Sequence, residues 1–136
     1  MLPRGVHMSN SLKFIATAVL ATALAIAPAF AAQSPAGTWQ TVTGESRFEV
    51  TLCGDGTEVC ARLVWLRDDA RTAENLGYLN AYVLKGAKRA LENKWRGSAE
   101  YMGEVVKGTL TLVDGNTMTI NGCKGALCQK FELTRI

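Results

Sequence analysis

The sequence predicts an all-β domain, a small antiparallel barrel or sandwich of about seven or eight short strands. Apolar and polar residues alternate along several short segments, and turn residues recur about every 8 to 12 positions. Four cysteines stand in two close pairs beside glycine-containing turns. Alternation of this kind places one face of a strand in a core and the other in solvent.

Residues 1–31 are predicted to be a secretory signal peptide. A basic lead precedes an uninterrupted apolar run at residues 14–27, and small residues precede a cleavage site after Ala31. The run is shorter than the roughly 20 residues of a membrane-spanning helix, so we expect no stable membrane insertion after cleavage. Translation from either Met1 or Met8 leaves the same exported chain, which we expect in the periplasm.

The cysteines of the exported chain are expected to form disulfides, because an oxidising compartment favours them. Four cysteines allow three pairings. Zinc-thiolate sites and thioredoxin-like redox pairs usually use C-x-x-C, whereas the gaps here are six and four residues. We therefore predict two local disulfides that close hairpins: Cys53 with Cys60, and Cys123 with Cys128.

The first three strands follow from short apolar segments. Residues 32–36 are expected to be a flexible N-terminal arm, and Gly37 to Val42 an opening strand that carries Trp39. Arg47 to Cys53 and Val59 to Leu66 are predicted to form a hairpin. If Cys53 faces Cys60, the inner face holds three apolar pairs: Phe48 with Trp65, Val50 with Leu63, and Leu52 with Ala61.

The middle of the chain, residues 67–94, has the weakest pattern. Residues 68–75 are expected to be a polar connection. Apolar residues between positions 76 and 91 have helical spacing, but Gly77 and Gly86 argue against one continuous helix. We predict a strand near Leu79 to Leu84, a turn at Leu91 to Asn93, and a strand from Lys94 to Tyr101.

The last three strands are predicted to form a meander. Val105 to Val113 alternates, and the turn Asp114 to Asn116 reverses the chain. One inner face then satisfies both hairpins, with these pairs: Leu110 with Ile120, Leu112 with Met118, Ile120 with Phe131, and Met118 with Leu133. The domain is thus expected to span residues 37–136.

Removal of the leader limits the chemistry of the exported chain. The formal charge falls from +3 to +1, because Arg4 and Lys13 are lost, and the single histidine, His7, is lost with them. Nucleic-acid binding usually needs a basic surplus, so no nucleic-acid partner is expected. Without imidazole there is no Ser-His-Asp site and no mixed Cys/His metal site.

A catalytic role is not expected. The carboxylate pairs Asp68 with Asp69 and Glu100 with Glu104 are typical of a solvated surface. The sequence has no glycine-rich phosphate loop and no nucleophile motif. We therefore expect a non-catalytic protein without cofactor or metal.

Five landmarks resemble those of an exported bacterial family, a domain of unknown function numbered 2147. They are GTWQT at 37–41, ARLVWL at 61–66, KWRG at 94–97, GTLTLVDGNTMTINGC at 108–123 and KFELTR at 130–135. The chain departs from the family's G-K-T-Y-x-G stretch, since residues 103–108 lack the tyrosine. It also has Phe131 where members often have tryptophan.

The ends of the domain resemble those of lipocalin-type barrels. In these barrels a terminal arginine packs over a tryptophan of the first strand, and Gly37-x-Trp39 and Arg135 stand at the matching places. The resemblance implies an antiparallel lipocalin-like meander barrel with Trp39 and Arg135 closing its floor. The register also puts Arg135 on the face of Leu133, the direction that such stacking requires.

The expected function is binding of a small apolar or amphiphilic ligand inside the barrel. Eight-stranded barrels either hold one small ligand or fill with side chains, and both outcomes stay open. The candidate ligand-binding residues lie on the predicted inner face: Phe48, Leu63, Trp65 and Met118.

A protein partner is the alternative function. Small disulfide-bonded barrels that open with GTWQ also occur among periplasmic peptidase inhibitors, where residues 32–36 would serve as an arm. A basic segment with Lys85, Lys88, Arg89, Lys94 and Arg96 is a candidate patch for anionic envelope components. The protein is expected to be a monomer.

Overall fold

Eight antiparallel strands close into a barrel in the computed structural model, which describes residues 33–101 and 103–136. Each strand pairs with the next along the chain, and β8 pairs with β1. The predicted lipocalin-like meander is therefore confirmed, whereas the predicted signal peptide, residues 1–31, lies outside the described residues. The strands are β1 (Gly37–Thr41), β2 (Ser46–Cys53), β3 (Glu58–Leu66), β4 (Tyr82–Leu91), β5 (Lys94–Tyr101), β6 (Glu104–Leu112), β7 (Thr117–Lys124) and β8 (Leu127–Arg135).

The barrel has two different ends. The end that we call closed carries the start of β1, the end of β8 and the turns at 54–57, 92–93 and 113–116. The opposite end, which we call open, carries the β1–β2 turn, the connection 67–81, and the β5–β6 and β7–β8 turns. Successive hairpins alternate between the two ends, as an up-and-down barrel requires.

The core lies nearer the closed end and is apolar. Trp39 and Met118 are both 0 % exposed. In the part of the chain that the structure describes, no buried residue is polar or charged. The cluster continues through every strand and consists of Trp39, Val50, Val59, Ala61, Leu84, Ala87, Trp95, Leu110, Leu112, Met118 and Leu133.

The register of the last three strands is confirmed. Leu112 pairs with Met118, which pairs with Leu133 in turn. Ile120 likewise pairs with both Leu110 and Phe131. Since alternate residues share a face of a strand, these residues all point into the barrel.

The register of the first hairpin was predicted two residues out of place. Phe48 pairs with Leu63 instead of Trp65, and Cys60 pairs with Thr51 instead of Cys53. The Cys53–Cys60 disulfide therefore runs diagonally across the hairpin. A shift of two residues leaves every side chain on its predicted face, so Phe48 and Leu63 still point inward.

A bulge in β3 reverses the predicted direction of one side chain. Phe48 pairs with Leu63, but the preceding Arg47 pairs with Trp65, so Val64 is the extra residue. Trp65 thereby shares the outer face with Arg47, whose guanidinium carbon lies 4.3 Å from the indole centroid. The prediction that Trp65 lines the interior is wrong.

The connection between β3 and β4 contains two short helical turns that the sequence analysis did not predict. A 3-10 turn spans Asp68–Ala70 and the helix α1 spans Ala73–Leu76. The Thr72 hydroxyl caps α1 by accepting a hydrogen bond from the Asn75 backbone N–H. A turn follows α1, so the next strand begins at Tyr82 and not near Leu79 as predicted.

Two aspartates in closed-end turns make the fold sensitive to acid. The Asp55 carboxylate accepts hydrogen bonds from the hydroxyl and the backbone N–H of Thr57, which lower its pKa. The Asn116 backbone N–H similarly lowers the pKa of Asp114. A lowered pKa in the folded state means that the unfolded chain binds more protons. These carboxylates therefore stabilise the fold above their ordinary pKa of 3.8, and this contribution is lost as the pH falls below it.

We expect the free energy of unfolding, measured by urea denaturation, to fall between about pH 5 and pH 2. The double variant Asp55→Asn, Asp114→Asn should show a shallower fall. Glu74→Gln, which removes an exposed carboxylate from α1, is the control and should keep the wild-type slope. A wild-type slope in the double variant would contradict this assignment.

Candidate functional site

The floor of the barrel is an arginine stacked on a buried indole. The guanidinium carbon of Arg135 lies 4.3 Å from the Trp39 ring centroid. The same guanidinium donates hydrogen bonds to three backbone carbonyls, those of Gly115 at 2.7 Å, Ala36 at 2.6 Å and Ser34 at 2.8 Å. The stack therefore joins the N-terminal segment, the β6–β7 turn and β8.

Two indole N–H groups complete this closed end. Trp39 Nε1 donates to the carbonyl of Pro35 at 2.8 Å, and Trp95 Nε1 donates to the carbonyl of Thr57 at 3.0 Å. The guanidinium of Arg89 lies 6.0 Å from the Trp95 ring. Each buried indole thus has a hydrogen-bond acceptor, as burial of this polar group requires.

The predicted flexible arm needs correction for residues 34–36. Their three carbonyls accept the hydrogen bonds from Arg135 and Trp39, and Pro35 is buried. The Ala32 position lies outside the described residues. Residues 34–36 are therefore part of the barrel floor and not a mobile extension.

The barrel wall is uneven at the open end. The β7–β8 pairing continues from Thr134 as far as Leu127, whereas the β1–β8 pairing covers only Leu133 to Arg135. The turn after β1 adds one bond, from the Val42 N–H to the carbonyl of Glu132. The β7–β8 hairpin consequently extends beyond β1, which leaves a low side in the rim.

An apolar inner surface is exposed beside this low side. Phe131 shares the inner face with Leu133, yet Phe131 is 40 % exposed and Leu133 is 1 % exposed. Phe48 and Ile120 are half-buried and pack against the core. We call Phe48, Ile120 and Phe131 the open-end apolar surface.

Two glycines face the interior at the same level. Gly108 pairs with Gly122 on the inner face, two residues along from Leu110 and Ile120. A Cβ at Gly122 would find Val106 Cγ2 as its nearest neighbour, 3.7 Å away, and a Cβ at Gly108 would find no atom closer than 3.8 Å. A Cβ at either position would be in ordinary van der Waals contact, so these glycines simply place no side chain beside the open-end apolar surface.

The four residues predicted to bind a ligand have different positions. Met118 and Leu63 are buried in the filled part of the barrel, and Phe48 is half-buried toward the open end. Trp65 lies on the outer face. The sequence analysis used Phe131 as a core residue and as a departure from the family's tryptophan, and did not predict it as a ligand contact.

Ionic and hydrogen-bond contacts hold the connection 67–81 at the rim. Arg67 and Asp69 pair at 2.6 Å, which raises the pKa of the guanidinium and lowers that of the carboxyl. Arg67 also donates to the carbonyl of Thr43 in the β1–β2 turn. The hydroxyl of Tyr78 accepts a hydrogen bond from the Gly103 N–H. The connection is thus held to the β1–β2 turn and to the β5–β6 turn at the open end.

The described residues contain neither a group of metal-ligand side chains nor a helix suited to a membrane. Across the described ranges, no three His, Cys, Asp or Glu side chains are grouped so that they could hold a metal ion. No helix within these ranges has the length and apolarity needed to cross a membrane. Both disulfides have the predicted local pairing, Cys53–Cys60 and Cys123–Cys128.

Comparisons with known proteins agree with this geometry. The model of a family described as "Uncharacterized protein conserved in bacteria (DUF2147)" matches residues 37–135. A solved structure described as "Protein HP1028 from the human pathogen Helicobacter pylori belongs to the lipocalin family" has a similar fold, with a TM-score of 0.57 and 12 % sequence identity. That likeness covers 76 % of this chain and 84 % of the other. None of the curated proteins compared with the chain matches it.

Proposed function

The chain belongs to the DUF2147 family of bacterial proteins, and we propose that it is an exported, non-catalytic binding protein. Its ligand is a small apolar or amphiphilic molecule, held by the open-end apolar surface. One observation carries the proposal: Phe131 points into the barrel but is 40 % exposed. An inward-facing aromatic side chain that is partly exposed offers contact area to an apolar group.

The difference between the two ends of the barrel supports the proposal. At the closed end, two indoles and the Arg135 guanidinium fill the interior and satisfy their hydrogen bonds. At the open end, Gly108 and Gly122 contribute no side chains. A ligand can therefore enter from one end only, as far as the buried layer that contains Met118.

The rim favours a ligand with one polar end. Gln129 is exposed and lies two residues from Phe131, on the same inner face of β8. Its amide offers both a hydrogen-bond donor and an acceptor. An amphiphilic molecule could bury its apolar part against Phe131 and Ile120 while its head group contacts this amide.

The two disulfides support export, because such bonds persist in oxidising compartments. The arrangement needs a single copy of the chain, so we propose a monomer. The alternative, a peptidase inhibitor or other envelope partner-binding protein that acts through a mobile N-terminal arm, is not favoured. The carbonyls of Ser34, Pro35 and Ala36 are held at the barrel floor.

The proposed site can be tested with the apolar fluorescent probe N-phenyl-1-naphthylamine. We expect saturable binding to the wild-type protein. The variant Phe131→Glu should weaken binding by about tenfold or more, since burying an exposed aromatic side chain contributes on the order of 1.5 to 3 kcal/mol. The readout is the rise in probe fluorescence on titration.

Val105→Glu is the matched control. Val105 is 70 % exposed near the open end, but it lies on the outer face of β6. This variant introduces the same charge at the same end and should bind the probe like the wild-type protein. Equal binding by the Phe131 variant, or no saturable binding by the wild-type protein, would refute the proposed site.

A further inference from the structure

A second surface of the molecule concentrates positive charge on the outer face of β4, β5 and β6. Lys88 directly faces Arg96 across the β4–β5 pair. Lys94 lies two residues before Arg96 on the same face, and Lys107 lies two residues before Thr109, the partner of Arg96. Like charges at facing positions destabilise a sheet, so this arrangement lowers stability unless an anion neutralises it.

These four cations have no acidic partner in residues 33–101 and 103–136. Several cations elsewhere on the barrel do have acidic partners, and the ion pairs among the described residues are Arg62–Glu49, Arg67–Glu45, Arg67–Asp69, Arg71–Asp68, Lys85–Glu100 and Lys124–Glu104. The exported chain is almost neutral as a whole. The unpaired charge on β4 to β6 is thus a local feature of the fold.

A groove crosses the same outer face, and two of these cations, Arg96 and Lys107, line it. Its volume is about 420 Å³, and two glycines contribute to its lining. The polar side chains along it are Arg96, Ser98, Lys107, Thr109 and Asn121. None of the described residues that line it is a carboxylate, so we call it the basic groove.

We propose that the basic groove binds the phosphate group of a phosphate ester. A guanidinium and an ammonium supply charge, and two hydroxyls and an amide supply further hydrogen-bond donors. A phosphate monoester offers three terminal oxygens to these donors, whereas a carboxylate offers two. The groove volume exceeds what a phosphate group alone would fill, which leaves room for the group that carries it.

The basic groove is independent of the open-end apolar surface. Arg96 and Lys107 lie on the outer face. The neighbouring Gly97 faces inward, since a Cβ added to it would meet Ala87 in the core. The β-sheet therefore separates the two sites. Failure of either proposal would leave the other unaffected.

The test is a titration of ¹⁵N-labelled protein with glycerol 3-phosphate at constant ionic strength. We expect saturable shifts of the amide resonances of Gly97, Gly108 and Asn121. The double variant Arg96→Gln, Lys107→Gln should weaken binding by about tenfold or more, because it removes two charge-assisted contacts. The amide spectrum of the double variant also shows directly whether it is folded. Because the variant relieves the Lys88–Arg96 repulsion, its melting temperature should be no lower than that of the wild-type protein.

Arg62→Gln is the matched control, since Arg62 is also an arginine on an outer strand face but is paired with Glu49. It should bind glycerol 3-phosphate like the wild-type protein.

A second experiment uses phosphatidylcholine vesicles with and without phosphatidic acid, which presents the phosphate monoester on a lipid. If the protein binds glycerol 3-phosphate but not the vesicles, the ligand is a soluble phosphate ester. If the protein also binds the vesicles, and only those that contain phosphatidic acid, the ligand is a lipid head group. Shifts reproduced by sodium acetate, or no binding in either experiment, would overturn the proposal.

Discussion

Replacing Trp39 with alanine is expected to lower the free energy of unfolding by about 3 to 5 kcal/mol. The indole is 0 % exposed, so its removal leaves a cavity in the core. The loss also leaves the carbonyl of Pro35 without its donor and the guanidinium of Arg135 without its stacking partner. Urea denaturation followed by circular dichroism measures the change.

Trp65→Ala is the control for this experiment. Trp65 also stacks with an arginine at 4.3 Å, but on the outer face and only half-buried. An exposed cation–π contact contributes about 0.5 to 1 kcal/mol, so we expect a loss of roughly 1 kcal/mol. Equal losses in the two variants would contradict the assignment of Trp39 to the barrel floor.

Removal of the disulfides is expected to have the second largest effect. The bonded cysteines are separated by 7 and 5 residues in sequence. The loop-entropy model then gives a loss of about 2 to 2.5 kcal/mol for each bond. The double variants Cys53→Ala, Cys60→Ala and Cys123→Ala, Cys128→Ala should both show it in urea denaturation.

The two disulfides lie at opposite ends of the barrel, so their effects should add when both are removed. A reducing agent should lower the stability of the wild-type protein to that of the variant without cysteines, and should not change that variant. A peptide map of unreduced protein that links the early pair of cysteines to the late pair would contradict the assigned hairpins.

The sequence predicts which face of each strand points inward better than it predicts the register between strands. The second hairpin was placed correctly because Cys123 and Cys128 face each other directly. The first was placed two residues away because Cys53 and Cys60 are bonded diagonally. Faces survive such an error, since side chains alternate with a period of two. The bulge at Val64 has no sequence signature. It is the reason that the Trp65 side chain lies on the outer face and not on the predicted inner face.

The candidate site was harder to predict than the fold. The exposure of Phe131 depends on the different lengths of β1 and β8, which determine where the rim is low. Strand ends are the least certain feature of a sequence-based assignment. The stack of Arg135 on Trp39, by contrast, was expected from a resemblance and from the shared face of Arg135 and Leu133. The helix α1 had a local signal, the cap residue Thr72.

The most direct test of the proposed function is the position of a bound probe. Nuclear Overhauser contacts can be measured between N-phenyl-1-naphthylamine and the protein in their complex. We predict contacts from the probe to the Phe131 ring and the Ile120 methyl groups, and none to the methyl groups of Val105. Contacts confined to the outer face, or no complex at saturating probe, would contradict a ligand site at the open end of the barrel.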